Sequence, residues 1–243
     1  MTGSTGLQRY PLGAKPSRYD PRDYRFGPWT ARAKAAEALD RKMYTMVNPD
    51  FRINQGMEGT CVGHAATNVL LAGPSPHRTY AGFMSEELAH QFARKLYLDA
   101  SGDTTYQQGM HPRDACAELL SDGLIESYWR VLQVEDVTTA LLTFGPVMLA
   151  IPWYSSMFYD DARLSKLYGN FYVKVNLESE HVGYHALTAT GIDLEPDDGG
   201  PPFLRLQNSW GSEWGANGTA RLTVESFRRL NMWDNWAFQE AAF

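Results

Sequence analysis

The sequence has few cysteines and no long apolar or basic run. Only two cysteines, Cys61 and Cys116, occur in 243 residues, whereas a secreted domain often carries several pairs. No apolar run approaches the roughly 20 residues that cross a bilayer, and no Lys/Arg cluster resembles a phosphate-binding stripe. The first ten residues lack the features of a signal peptide. These absences predict a cytoplasmic protein with neither membrane nor nucleic acid as a partner.

The composition is that of a chain with a substantial core. Hydrophobic residues make up 44% of it, including 7 Trp, 13 Tyr and 11 Phe. The formal net charge of −6 favours solubility. A length of 243 residues suits one large domain or two lobes that share an interface. The sequence does not indicate an oligomeric state.

The chain divides into an N-terminal arm, residues 1–47, and a compact domain, residues 48–243. The arm is rich in Gly, Pro, Arg and Tyr, with "SRYDPRDYRFGP" as its densest stretch, which is typical of irregular structure. A short Ala-rich helix is predicted over 31–43. The arm could be a permanent part of the body, the interpretation we favour from sequence, or a segment removed on activation.

Helices fill the first part of the domain. One is predicted from the N-cap Thr60 to Gly73. A second begins at Ser85, a third follows Pro112, and a fourth spans about 135–143. The spacing of large apolar residues predicts that the second buries Leu88, Phe92 and Leu96, and that the third buries Ala115, Cys116, Leu119 and Leu120.

Strands fill the second part. The runs "PVMLAI", "YHALTATGID", "FLRLQNSW" and "TARLTV" are short, apolar or β-branched, and separated by turn-forming residues. Because helices precede strands, the sequence predicts an α+β protein with a helical lobe, a sheet lobe and a cleft between them.

Three residues have the chemistry of a nucleophilic site. Cys61 lies in the first turn of a helix, where the helix dipole stabilises a thiolate. A thiolate needs a base, and His185 lies in a strand beside Gly183. The base needs a hydrogen-bonding partner, which Asn208 beside Trp210 could supply. Taken singly, each also fits a structural role: a buried thiol, a hydrogen-bonded histidine and a turn asparagine.

Three segments together resemble the papain-like cysteine peptidases. "NQGMEGTCVGHA" resembles the nucleophile segment, "YHALTATGID" the histidine segment, and "LQNSWGSEWGANGTARL" closely resembles the asparagine segment. The resemblance implies that Cys61 is the nucleophile, His185 the base, Asn208 its orienter and Gln55 an oxyanion-hole donor.

Further resemblances extend over the domain. "MSEELAHQFA" resembles the second helix of the family, and "QQGMHPRDACAELLSDGL" and "FGPVMLAI" resemble segments that line the substrate cleft. They imply the papain-like two-lobe fold, with a helical lobe over about 60–130 and an antiparallel sheet or barrel lobe over about 131–243. "LGAKPSRYDPRDYRFG" resembles the leader of bacterial and viral members, which would mean the host-cell cytoplasm for a viral protein.

The sequence departs from the family at three positions. Glu58 replaces a cysteine that is often in a disulfide, Val62 replaces the aromatic residue that usually follows the nucleophile, and Tyr184 stands where smaller residues are frequent. These changes affect the leaving-group side and the pocket shape and leave the core chemistry in place.

The resemblance implies hydrolysis of peptides or proteins through a thioester on Cys61, with a Cys61 thiolate and His185 imidazolium at rest and no cofactor or metal. Trp210 and Trp214 would shield the histidine. The residues implied to bind substrate, with an apolar side chain preferred two residues before the cut, are Gly109, Met110, Ala150, Gly183 and Tyr184; Met232 and Trp233 would close the pocket.

Two other functions stay open on sequence alone. A cell-wall peptide hydrolase or a transpeptidase would use the same site, and the absence of a repeat or basic wall-binding module weighs mildly against a lysin. A catalytically silent binding protein would usually have lost the Cys or the His, and both are present here.

Overall fold

A computed structural model describes residues 10–27, 42–45, 51–73, 85–230 and 234–240. Most of the helix predicted at 31–43, together with Met232 and Trp233, lies outside these ranges. The helices are α1 (Cys61–Ala72), α2 (Glu86–Ser101), α3 (Pro112–Ser121), α4 (Val134–Thr143), α5 (Ala162–Tyr168) and α6 (Val224–Arg229). The strands are β1 (Met43–Thr45), β2 (Ile125–Val131), β3 (Val147–Tyr154), β4 (His181–Asp193), β5 (Phe203–Gln207), β6 (Thr219–Thr223) and β7 (Asp234–Glu240).

The strands form one antiparallel sheet. Its order is β2-β7-β3-β4-β5-β6, and β1 pairs with the end of β4. The long strand β4 therefore has three neighbours, β3, β5 and β1. The helices α1 to α3 come first in the chain and pack beside this sheet. This arrangement confirms the predicted α+β class.

Helix α1 is the structural centre of the helical part. All of its residues except Leu70 are buried, because β4 packs on one side and α2 on another. Gly63 allows the close approach of α2: a Cβ at this position would lie 2.3 Å from the carbonyl oxygen of Ala93. No helix in the described ranges is long and apolar enough to cross a membrane.

The predicted buried faces of α2 and α3 are partly wrong. Leu88 is 50% exposed and Leu120 is 42% exposed. The buried residues of α2 are Ala89, Ala93, Leu96 and Tyr97. Small alanines allow α2 to lie close to α1, so the inward face follows the alanines. Reasoning from large apolar side chains therefore placed that face about one position off.

Strands β1, β2 and β7 and helices α5 and α6 escaped the sequence analysis, and Met43 of β1 ends the span predicted as an Ala-rich helix. Strands β2 and β7 pair with each other, Tyr128 opposite Phe238, and β7 also pairs with β3. Their sequences, "IESYWRV" and "DNWAFQE", mix polar and aromatic residues without clean alternation. The short helix α5 buries none of its residues, so it leaves no periodic apolar pattern to detect.

The described arm segment 10–27 is attached at its C-terminal end to the edge of the sheet. Arg25 forms a parallel bridge with Arg130 of β2. The Phe26 N–H donates to the Arg130 carbonyl at 2.9 Å, and the Arg130 N–H donates to the Tyr24 carbonyl at 2.8 Å. The Phe26 ring is 5% exposed and belongs to the core around β3 and β4. The arm is thus fixed to the body at this end.

Replacing Gly63 by Ala should separate α1 from α2. The added methyl group would collide with the Ala93 carbonyl, and overpacking of this kind costs about 1–3 kcal/mol. Urea unfolding followed by tryptophan fluorescence would measure the loss. Gly27→Ala is the matched control, because its Cβ would meet only the Arg25 carbonyl at 3.8 Å; equal stability of the two variants would contradict the packing argument.

Candidate active site

The N-terminus of α1 places Cys61 against strand β4. Ala186 packs in the same buried cluster as the thiol, and its backbone lowers the pKa of that thiol; Ala186 directly follows His185 in β4. Farther along, the Thr188 hydroxyl donates to the Ala65 carbonyl at 2.8 Å, a buried contact that fixes the helix on the strand. Thr60 occupies the predicted N-cap position but makes no side-chain cap hydrogen bond.

His185 is bound to Asn208 and enclosed by aromatic rings. Its Nε2 lies 2.7 Å from the Asn208 Oδ1, an oxygen that also accepts the Ser209 N–H at 2.8 Å. Because this oxygen is an acceptor, Nε2 carries the proton and Nδ1 keeps a free lone pair. Trp210 stacks on the imidazole with centroids 4.4 Å apart, and Trp153 meets it edge-on at 5.1 Å.

The imidazole therefore presents its other nitrogen as a base. Within the described part of the chain, Nδ1 of His185 is buried and has no hydrogen-bond partner. Nδ1 is thus in the state that accepts a proton, on a ring whose neighbour in the chain touches the Cys61 thiol. Trp214 packs edge-on against Trp210, with ring centroids 5.5 Å apart, and so supports the ring that stacks on the imidazole.

Gln55 is held so that its amide nitrogen donates toward the cleft. Its Oε1 accepts the Ser209 hydroxyl at 2.6 Å, which assigns the nitrogen to the other side. That nitrogen donates to the Glu58 carbonyl at 2.7 Å and to the Pro11 carbonyl at 3.4 Å. The Gln55 N–H also donates to the Ser209 carbonyl at 2.8 Å. A carbonyl oxygen of the arm is thus already within reach of the predicted oxyanion-hole donor.

The arm crosses the site. Tyr10 stacks on Trp210 with centroids 4.5 Å apart, and Leu12 lies against Gly183. Gly13 passes so close to the body that a Cβ there would lie 2.0 Å from the Gly59 carbonyl oxygen, and its backbone lies near enough to the Cys61 thiol to lower the pKa of that thiol. The arm therefore occupies the space directly over the sulfur.

Burial under the arm sets the protonation of the site. Burial raises the pKa of the Cys61 thiol to about 11, against the opposing hydrogen bonds from the backbone of Ala186 and Gly13. Burial also lowers the pKa of His185 to about 4, although the Asn208 hydrogen bond opposes this. Burial of the covered site therefore favours the neutral thiol and the neutral imidazole over the ion pair expected at rest from sequence, because both charges would be desolvated.

The residues predicted to bind substrate lie along the path of the arm. The Met110 N–H donates to the Gly13 carbonyl at 2.8 Å, and the Lys15 N–H donates to the Met110 carbonyl at 2.9 Å. The Tyr184 carbonyl accepts the Ala14 N–H at 3.3 Å. Ala14 is buried in the same cluster as Cys61, together with Met110, Ala150, Ala186 and Tyr184.

A carboxylate holds the loop that carries Gly109 and Met110. Asp103 accepts the Gln107 and Gln108 N–H groups at 2.9 and 2.8 Å and the Tyr97 hydroxyl at 2.6 Å. Hydrogen bonds, that of Thr105 foremost, hold the pKa of Asp103 well below its usual range. The Tyr97 oxygen in turn accepts the Gly109 N–H at 2.9 Å. A buried helix residue thereby fixes the loop beside the cleft.

Sequence reasoning missed three residues of this site. Ser209, which orients Gln55, appears in the sequence only as part of the asparagine motif, with no sign of a role of its own. Trp153 lies in β3, where an apolar run gives no sign that one ring faces the histidine. Tyr10 lies in the arm, and its aromatic character beside Pro11 was the available signal for docking on the body.

The remaining thiol and the nearby histidine have structural contacts. Cys116 is fully buried, and burial raises its pKa well above the usual value. The two nitrogens of His64 lie 3.0 Å from the Thr60 carbonyl and 2.9 Å from His90 Nδ1. Among the described residues, no group of three or more His, Cys, Asp or Glu could hold a metal ion.

Comparison with known proteins bears on this site. The model of the papain family of cysteine proteases matches residues 80–235, a stretch that includes His185 and Asn208 and begins after Cys61. Cathepsin B-like CP3 of Giardia intestinalis is 29% identical over 140 residues, 52% of this chain and 43% of that protein. Human cathepsin O is 31% identical over 94 residues, 39% of this chain and 25% of that protein. The chain spans less than half the length of these curated relatives.

Solved structures share the fold over most of the chain. Xylellain, a cysteine protease from Xylella fastidiosa, superposes with a TM-score of 0.70 at 17% identity, covering 98% of this chain and all (100%) of that chain. A structure described as proCathepsin B S9 from Trypanosoma congolense gives 0.63 at 13% identity, covering 96% and 87%. At these identities the likeness establishes the fold.

Alkylation of Cys61 by iodoacetamide should be slow at pH 7 and rise with pH. The thiolate is the reacting species, and with a pKa of about 11 its fraction grows about tenfold per pH unit through pH 7–10. Mass spectrometry of the Cys61 peptide from the full chain would follow the rate. A fast rate that stays level between pH 5 and 7 would instead reveal a preformed thiolate.

Proposed function

The chain belongs to the papain family of cysteine proteases, and from this membership and the geometry of the site we propose that it hydrolyses peptide bonds. Cys61 is the nucleophile, His185 the base, Asn208 the residue that orients the base, and Gln55 a donor to the oxyanion. The single observation that carries the proposal is the hydrogen bond between His185 Nε2 and Asn208 Oδ1, which leaves the lone pair of Nδ1 free and buried. The next residue of the strand, Ala186, packs in the same cluster as Cys61.

The reaction begins when the cleft is open and a peptide has entered. The Cys61 proton moves to Nδ1 of His185, and the sulfur attacks the peptide carbonyl. The Gln55 amide and the Cys61 N–H receive the developing negative charge, and each such donor contributes about 3 kcal/mol in the transition state. His185 then protonates the leaving amine. Water, deprotonated by the same nitrogen, attacks the thioester and releases the free thiol and the acid product.

The two sides of the cleft follow from the position of His185. The leaving amine takes its proton from His185, so residues after the cut extend toward Trp210, the ring stacked on that histidine. A cavity of about 470 Å³ lies on this side, lined in part by Asn54, Trp210 and Glu213. Residues before the cut extend the other way, toward Met110 and Ala150.

The arm runs through this cleft in the opposite sense to a substrate. Tyr10 lies on the leaving-group side, Gly13 over the sulfur and Ala14 against Met110. A substrate chain would run from Met110 toward Trp210. A reversed chain presents its peptide groups with the wrong polarity for attack and leaving-group protonation. We therefore propose that residues 10–17 act as an inhibitory cover, so that residues 1–47 resemble a pro-segment more than a permanent part of the body.

The surroundings of Ala14 suggest which size of side chain fits the pocket for residues before the cut. It is 8% exposed and shares a cluster with Met110, Ala150, Ala186 and Tyr184. With small walls at Ala150 and Ala186, the space that opens when the arm leaves suits an apolar side chain of moderate size. We propose that this pocket binds the residue two positions before the cut. Profiling with a peptide library would test this, and a preference for charge there would reject it.

An epoxide-type thiol inhibitor should label Cys61 in the activated chain, because the inhibitor needs a nucleophilic thiolate with an acid beside it. Intact mass would show a single addition, and Cys61→Ser should abolish it. Gln55→Ala should lower kcat by about 100-fold to 1,000-fold while the labelled site stays the same. Peptide hydrolysis that survives Cys61→Ser would disprove the assignment of the nucleophile.

Self-removal of the arm is a separate prediction. If the cover is cut, incubation of the full chain should produce a species that has lost residues from the N-terminus, whereas Cys61→Ala should keep its full mass. Time-resolved intact mass spectrometry would compare the two. Activity that appears while the mass remains unchanged would show instead that the arm opens without cleavage.

A further inference from the structure

The arm makes an ionic contact with the body beyond the nucleophile. Arg113, in the first turn of α3, donates through Nε to Asp23 Oδ1 at 2.5 Å and through its NH2 nitrogen to Asp20 Oδ2 at 2.9 Å. One guanidinium thus binds two arm carboxylates, and its fixed fork suits such a pair of acceptors. Asp20 and Asp23 lie seven and ten positions along the arm from Gly13.

The Asp23 carboxylate is buried, so its charge depends on the Arg113 guanidinium for compensation more than the charge of an exposed carboxylate would. Its side chain is only 3% exposed, and its Oδ2 is buried without a hydrogen-bond partner in the described part of the chain. The Arg113 side chain is itself 24% exposed. Removing one partner of a buried ion pair leaves the other charge uncompensated, which is strongly unfavourable. Loss of the guanidinium should therefore drive the arm off the body.

A second contact acts at the same end of the cleft. The Ser17 N–H donates to Asp234 Oδ2 at 2.7 Å, and the Ser17 hydroxyl accepts the Arg113 N–H at 3.2 Å. Asp234 is opposite Ala150 in the sheet. Ser17 lies between the segment over Cys61 and the two carboxylates. Ser17 thereby joins the covering segment to Arg113, the same residue that binds the two carboxylates.

Arg22 provides a comparison within the same arm. It also binds Asp20, at 2.6 Å, but its side chain is 83% exposed, and both partners belong to the arm. This pair is solvated and does not connect the arm to the body, so it contributes little to docking. The two arginines share one carboxylate and differ in whether they bridge the arm to α3.

We propose that Arg113 is an anchoring residue for the arm, and that its ion pairs with Asp20 and Asp23 keep the cleft closed. Breaking them opens the cleft over Cys61 while the domain remains folded. The inference rests on the proposed function, in which the arm covers the site. It adds the position at which the arm is released and the interaction that holds it there, namely two arm carboxylates bound by the Arg113 guanidinium.

The test measures alkylation of both thiols by iodoacetamide in the full chain at pH 8. Cys116 is an internal control for unfolding, because it is fully buried in α3. Arg113→Gln should raise the rate at Cys61 about tenfold or more and leave the rate at Cys116 unchanged. Arg22→Gln, the matched control, should leave both rates at the wild-type values.

Asp23→Asn tests the same pair from the arm, where a substitution cannot disrupt the body's core. It should also raise the rate at Cys61, and combination with Arg113→Gln should add less than the two separate effects, because both break one interaction. An unchanged rate at Cys61 in both single variants would overturn the inference, as would a parallel rise at Cys116. Alkylation does not require catalysis, so a chain that opens but cuts no peptide would uphold this inference and refute the proposed function.

Discussion

The site depends on the contact between the first turn of α1 and strand β4. The helix is anchored by the Thr188 hydroxyl on the Ala65 carbonyl, and its N-terminal thiol lies against the backbone of Ala186. Helix and strand are remote in sequence, and only their packing brings a sulfur next to an imidazole. Close approach of α2 at Gly63 and enclosure by the sheet make α1 nearly immobile, so the relative position of the two groups is fixed by the core.

The second determinant is the removal of water. Cys61 and His185 are both fully buried: Gly13 of the arm lies at the thiol, and the aromatic rings of Trp153 and Trp210 enclose the imidazole. In such surroundings neutral forms are favoured, so the same groups that would form an ion pair in an open cleft are held uncharged. The proposed cover would therefore have two effects, exclusion of substrate and suppression of the nucleophile, and both would end together on departure of the arm.

Much of this arrangement could be read from the sequence because local chemistry and local structure agree there. The N-cap Thr60, Gly73 and an apolar period located α1, and the motifs around Gln55, His185 and Asn208 singled out groups that the fold brings together. The prediction of the buried face of α2 was partly wrong because close helix packing favours alanine over leucine. Strands β2 and β7 were not predicted because each is defined by its pairing partner and not by its own sequence pattern. The path of the arm over the cleft has no signature in spacing, since its contacts near the sulfur are made mainly by backbone groups and by ring stacking.

The crossing of Gly13 over Gly59 and Gly109 makes the cover selective. Each of these backbones comes within a distance that a single methyl group would fill: a Cβ on Gly109 would lie 2.4 Å from the Gly13 carbonyl oxygen. Gly13 and Gly109, distant in the chain, must therefore both be glycine for the closed form to exist, whereas a Cβ on Gly59 would meet the Gln107 carbonyl oxygen at 3.0 Å and not the arm. The arm of a relative, or a separate peptide, would bind here only with glycine at the position of Gly13. Steric fit at this one crossing therefore decides which arm can cover the site.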